Sequence, residues 1–163
     1  MRGAGSLKGV VVCYPAKLLN EWKRGRLILL WQCRYKGLFT EDDFRIAWNQ
    51  RHSGQRFAEW RAAIHYHNKG YRVLSRYYRR IWEAKFREAE AVIGKRGINL
   101  LTPKRKGAVP PDLLVYRRGQ RSYFFVEVKR DSDRLSNKQK EFFLAIEKLL
   151  GHPVRVLWLR RTM

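Results

Sequence analysis

The sequence predicts an α/β fold, on three observations. From about residue 71 strand-like apolar runs alternate with amphipathic helical stretches, aliphatic and aromatic side chains make up 45% of the chain, and 163 residues suffice for one compact core. The expected order of that core, residues 71–163, is helix, three strands, helix, strand. Residues 1–70 are expected to form a basic, mostly helical N-terminal extension that engages substrate, although no Gly/Ser-rich or Pro-rich linker marks a boundary.

Residues 1–8 read as loose chain. "GVVVCY" and "RLILLWQC" fit either short strands or buried helix segments, since periodicity alone does not separate the two. Thr40 followed by Asp43 resembles a capping box that opens a helix running to about Trp48. Ser53 is placed to cap the next helix, which carries Phe57, Trp60 and Ile64 on one face and stops at Gly70. From Tyr71 a three-or-four spacing of Leu74, Tyr78, Ile81, Lys85 and Ala89 predicts one long amphipathic helix to about Gly94. "GINLLTP", "PDLLVYRR" and "SYFFVEVK" are the three strands. Ser136 is a natural N-cap for a helix that buries Phe142, Phe143 and Ile146 and stops at Gly151, and "VRVLWLR" is the last strand.

Charge narrows the partner. Lys plus Arg number 36 against 14 Asp plus Glu, a net +22, and the excess is spread: 17 basic against 5 acidic up to residue 80, 19 against 9 beyond it. A polyanion tracked along the whole surface fits this better than a separable basic tail, so nucleic acid is the expected partner. The apolar runs are too short to span a bilayer and no signal peptide opens the sequence, so a cytoplasmic or nucleoid-associated, non-secreted protein is expected. Cys13 and Cys33 lack metal-type spacing and read as buried apolar thiols. His65 and His67 are two apart on a predicted helix, point to different faces and make a poor zinc site.

Acids interrupt apolar strands at two places. Side chains alternate along a strand, so Glu127 and Lys129 share one face with Phe125, while Asp112 opens the neighbouring strand after a Pro-Pro pair that favours extended backbone. Side by side, the two strands would bring both carboxylates to one cation. Magnesium takes hard oxygen ligands, commonly one or two carboxylates with water and substrate phosphate, and such a cation polarises a phosphoryl oxygen and acidifies an attacking water. Lys129 would then stabilise charge that grows in the transition state. The bland alternatives are a strand that merely starts after a turn, and an exposed Glu127–Lys129 ion pair of little energetic value.

"PD" at residues 111 and 112, with "EVK" beginning fifteen residues after the aspartate, resembles the PD-(D/E)xK nuclease superfamily. The fuller pattern "PPDLLVY...FFVEVKRDSDRLSNKQ" resembles its VRR-NUC branch, the virus-type replication-repair nuclease domain, over roughly residues 75 to 160. The resemblance implies a restriction-endonuclease-like core, a Mg2+ or Mn2+ requirement, and structure-selective cleavage of Holliday junctions, flaps or other branched DNA in replication, recombination or repair. It also implies a possible homodimer. By resemblance Asp112 and Glu127 match the metal-binding acids, Lys129 the catalytic lysine, and Gln139 the glutamine after the "LS" helix start. The carbonyl of Val128 is a further candidate ligand. For the acid that the superfamily carries on the helix before the first strand, Glu83 is the choice, with Glu88 and Glu90 as competitors and Glu59 as a longer shot.

Several bases near the expected site are candidates for contact with phosphate backbone: Lys104, Arg105 and Lys106 before Asp112, then Arg130, Arg134 and Lys138 after Lys129. Two rival functions remain at this level. One is a non-catalytic nucleic-acid-binding module, disfavoured because both acids and the lysine are present; the other is a metal-independent RNA endonuclease relying on a histidine, which insensitivity to chelators would reveal.

Overall fold

The computed structural model describes residues 6–102 and 109–163. A five-stranded mixed sheet runs through it in the order β1-β5-β4-β3-β2, built from β1 (Lys8–Pro15), β2 (Arg72–Ser75), β3 (Leu113–Tyr116), β4 (Tyr123–Arg130) and β5 (Val154–Thr162). β1 and β4 lie parallel to β5, whereas β2, β3 and β4 form an antiparallel meander. The seven helices of the described residues are α1 (Ala16–Lys23), α2 (Arg26–Arg34), α3 (Glu41–Asn49), α4 (Phe57–His67), α5 (Glu83–Ile93), α6 (Lys95–Leu101) and α7 (Asn137–Leu150). The predicted α/β class is the one observed.

Strand alternation divides the core into two layers. Val73, Leu113, Val115, Phe124, Val126 and Val128 face one apolar cluster with Trp22, Ile28, Phe57 and Trp60 from α1, α2 and α4. Leu74, Leu114, Tyr116, Tyr123 and Phe125 face the other, with Phe86, Ile98 and Phe143 from α5, α6 and α7. β3 and most of β4 read as nearly continuous apolar runs because both of their faces are covered.

Residues 8–70 are built into this scaffold. β1 supplies one edge of the sheet and α4 packs against β2, β3, β4 and β5, so the hydrophobic layer runs across the boundary expected near residue 70. Of the two ambiguous N-terminal runs, "GVVVCY" is a strand and "RLILLWQC" a helix.

The long helix expected from Tyr71 to Gly94 is two elements. Val73 and Leu74 pair with Val115 and Leu114 in β2, Arg76 turns the chain at φ 53°, and only from Glu83 does α5 begin. Sheet pairing overrides the local spacing, and Ile81, assigned to the buried stripe, is 77% exposed. "GINLLTP", expected as a strand, supplies α6, whose Ile98 and Leu101 are fully buried against the sheet. α4 starts at Phe57 with no side-chain cap, because Ser53 belongs to a 3-10 turn over Arg51–Ser53. Both reciprocal capping boxes occur as the residue types require, Thr40 with Asp43 and Ser136 with Gln139. Cys13 and Cys33 are exposed rather than buried: β1 is an edge strand, and Cys33 sits on the outer side of α2.

Candidate active site

Register brings the acids together. Leu113 of β3 lies opposite Val126 of β4, so one further step along the antiparallel pair sets Asp112 opposite Glu127. The Pro110–Pro111 pair that precedes Asp112 is buried, and the carbonyl of Pro111 accepts a 3.0 Å hydrogen bond from the fully buried Tyr77 hydroxyl, which fixes the entry to β3. Asp112 Oδ2 accepts the Val128 N–H at 2.8 Å, tying the start of β3 to the far part of β4.

Glu127 is 6% exposed, an unusual place for an acid without metal or matched charge. Its Oε1 receives the Lys129 ammonium at 3.1 Å and the Gln139 amide at 3.1 Å. Gln139 serves two ends at once: its Oε1 caps the Ser136 N–H of α7 while its Nε2 reaches Glu127. The capping box therefore aims the amide.

Burial pushes the Glu127 carboxyl up from its ordinary range, against the pull of Lys129 and of hydrogen bonding with Asp112. Burial lifts Asp112 further, well above the carboxylate range, and the negative charges of Glu127 and then Glu59 add to it, opposed by the Val128 N–H and Lys129. One lysine beside several acids leaves excess negative potential at this end of the sheet.

Glu59 reaches the site from α4. It is hydrogen-bonded to Arg56 at 2.8 Å, and it lines with Asp112, Gln50, Arg56, Arg76 and Tyr78 a cleft of about 390 Å3. Glu83, preferred from sequence, is instead 70% exposed on its side chain and salt-bridged to Arg87 one helical turn on. Glu88 is held by the Arg72 guanidinium, at 2.8 and 3.1 Å, and by the Tyr116 hydroxyl. The preference for Glu83 took "GINLLTP" as the first strand, where the structure has α6; with β2 as the first strand of the meander, the helix before it is α4.

The basic candidates divide. Arg130 turns inward, donating to the Gly54 carbonyl at 3.2 Å and lying 3.8 Å from Asp131, so it braces the 3-10 turn instead of standing free. Arg134 and Lys138 are exposed around the start of α7. Lys104, Arg105 and Lys106 lie outside the described residues. The sequence reading missed Arg76 and Tyr78 as cleft residues, which no linear motif marks.

Among the described residues no three His, Cys, Asp or Glu side chains cluster as a metal cage. His65 is partly buried with its Nε2 unpartnered, and burial, then Lys69 and Arg61, lowers its pKa; His67 packs edge-on to Tyr35. The Asp112–Glu127 donor set is nevertheless the right chemistry for a hard divalent ion, which needs only one or two protein carboxylates. Two carboxyls whose pKa values burial raises gain most from such a charge between them.

Paired strand carboxylates with a lysine on the same face, set in an α/β sheet on a strongly basic chain, fit the class of phosphodiester-cleaving enzymes. The sequence profile of the VRR-NUC domain matches residues 40–160, and the chain belongs to this family of nucleases. No curated protein matches it. Ten chains of solved structures do. One of them is paFAN1 bound to a two-nucleotide 5′-flap DNA with a gap, 20% identical, with a TM-score of 0.40 over 91% of this chain and 26% of that one. This chain thus spans about a quarter of that protein's length.

Proposed function

We propose that the protein is a Mg2+- or Mn2+-dependent DNA endonuclease, selective for branched DNA such as junctions and flaps. The observation that carries this reading is the pairing of Asp112 with Glu127 across β3 and β4, with Lys129 3.1 Å from Glu127. Branched DNA as the substrate class rests on the family resemblance, and DNA as the partner on the +22 charge.

Asp112 and Glu127 would hold the cation, with the Val128 carbonyl as a further ligand; bound there, it would polarise the scissile phosphate and acidify water. Glu59 takes the part of the helix acid. The Lys129 ammonium donates to Glu127 in the resting protein, and it is the group positioned to turn to a phosphate oxygen as negative charge grows there. Gln139 keeps the Glu127 carboxylate oriented through its 3.1 Å bond. Protonation of either acid removes a ligand, so a rate that is lost on acidification is expected.

The test is cleavage of labelled four-way junctions, flaps, duplex, single strands and RNA in Mg2+, Mn2+ or EDTA, with the native protein and Lys129→Ala. Metal-dependent cutting of branched DNA that disappears in the variant is expected. Binding without cutting by either protein would leave the non-catalytic module, and RNA cleavage in EDTA would overturn the assignment of the acids.

A further inference from the structure

The end of the sheet opposite the carboxylates carries a concentration of positive charge that cleavage chemistry does not use. Asp112 and Arg117 flank β3 at its two ends, and five residue steps of extended chain set them about 17 Å apart. At the Arg117 end two open hollows of about 730 Å3 each adjoin, sharing Arg117 and Gln120. Lys36, Arg72 and Arg118 line one, Arg96 and Arg121 the other, and no Asp or Glu of the described residues lines either.

Arg117 is held in place. Its guanidinium stacks over Tyr71 at 4.3 Å and donates to the Lys69 carbonyl at 3.2 Å, so its charge is fixed at the rim of both hollows. Arg118 and Arg121 follow in an exposed turn, and Lys36 is exposed across the first hollow. The nearest carboxylate, Glu88, is already engaged by Arg72 and Tyr116. Unmatched like charges crowded on one turn repel each other, a cost that an anionic partner would remove.

We propose that this surface is a second contact for phosphate backbone, gripping duplex DNA that passes over the outside of the sheet at least about 17 Å from the cut, five or more base-pair steps at about 3.4 Å per step. It rests on the DNA-cleaving reading above and adds a length requirement to it: the enzyme engages a duplex arm of no fewer than about five base pairs from the scissile bond to the Arg117 turn.

The test compares the native protein with Lys36→Gln/Arg118→Gln/Arg121→Gln on forked substrates whose arm is shortened from twelve to three base pairs, a range set by that ~17 Å reach. Binding is measured in EDTA against salt, and cleavage in Mg2+. Native binding should weaken sharply once the arm falls below about five pairs, and the variant should lose that dependence. Its log-log salt slope should fall by about 2 to 3, near 0.9 per lost contact, and its cleavage loss should appear in KM rather than kcat. Each single variant should lower the slope by about one, which guards against a folding defect in the triple variant. An unchanged slope and arm dependence would sink the proposal, as would weakened binding to phosphatidylserine vesicles with DNA binding intact. If nothing is cut but the slope still falls, the contact stands and the nuclease reading fails.

Discussion

Two buried clusters of charge sit in this protein, and they are balanced differently. In one, the Lys85 ammonium meets both oxygens of Asp43 at 2.7 Å and the Ser75 hydroxyl at 2.9 Å, with Asp43 also closing the capping box of α3. Acid and base match one to one, and every strong donor has an acceptor. In the other, Asp112 and Glu127 oppose each other across two strands with Lys129 as the near cation, while Glu59 beyond them is already paired with Arg56. The first cluster is closed and joins α3 to α5 and the end of β2; the second is left short of positive charge, as a site that recruits a cation must be. Burial alone does not separate structural from functional charge; the local sum does.

The largest effect expected from breaking this contrast is on catalysis. Lys129→Ala should lower kcat by about 100- to 1,000-fold, as for other transition-state donors, and lower thermal stability as well, since the buried Glu127 loses its near cation. Single-turnover cleavage and a melting curve check both halves. Next comes Lys85→Met, which strands the Asp43 carboxylate in the core and should cost about 3–5 kcal/mol by urea denaturation. Asp43→Asn with Lys85→Met should recover part of that loss, since no charge is then left unpaired.

A smaller effect separates the two candidates for the helix acid. Glu59→Gln should reduce cleavage about 10- to 100-fold and weaken metal activation, whereas Glu83→Gln, which removes only a surface pair with Arg87, should be silent. Equal losses in both variants would dismiss the role given to α4.

The smallest effect is a gain. A carboxyl whose folded pKa is raised stabilises most below its unfolded pKa, and that contribution is lost as pH rises through the folded pKa. The acids at the site therefore cost stability at neutral pH. Asp112→Asn should raise Tm in EDTA by roughly 2–4 °C per kcal/mol recovered and abolish the rise that Mg2+ gives the native protein. A lower Tm in the variant at pH 8 would contradict the excess of negative charge.

Much of this was legible in the residue order, for identifiable reasons. β3, β4 and β5 are apolar runs bounded by turn residues, and period-two alternation alone places Glu127 and Lys129 on the face of Phe125. Caps at Thr40 and Ser136 are local chemistry that needs no tertiary knowledge. The misreadings came where distant partners decide. Leu74 is a strand residue because Leu114 is beside it, and "GINLL" is helical because it packs on the sheet and on α7. Taking "GINLL" as the first strand is what directed the choice of helix acid to Glu83 on α5. Cys13 looked buried because nothing local reveals that β1 lies at an edge.

That edge strand has a consequence for the order of folding. Among the described residues β1, at residues 8–15, pairs only with β5, at residues 154–162, from Lys8 with Arg155 to Pro15 with Thr162. A chain leaving the ribosome carries "GVVVCY" without its partner until all the residues between them have been made, and closing so long a loop slows the search for it. Meanwhile the antiparallel meander β2-β3-β4 can assemble from contacts much closer in sequence. Assembly of the centre before the edge predicts a slow final step on refolding, during which an unpaired valine-rich strand is the segment most exposed to aggregation.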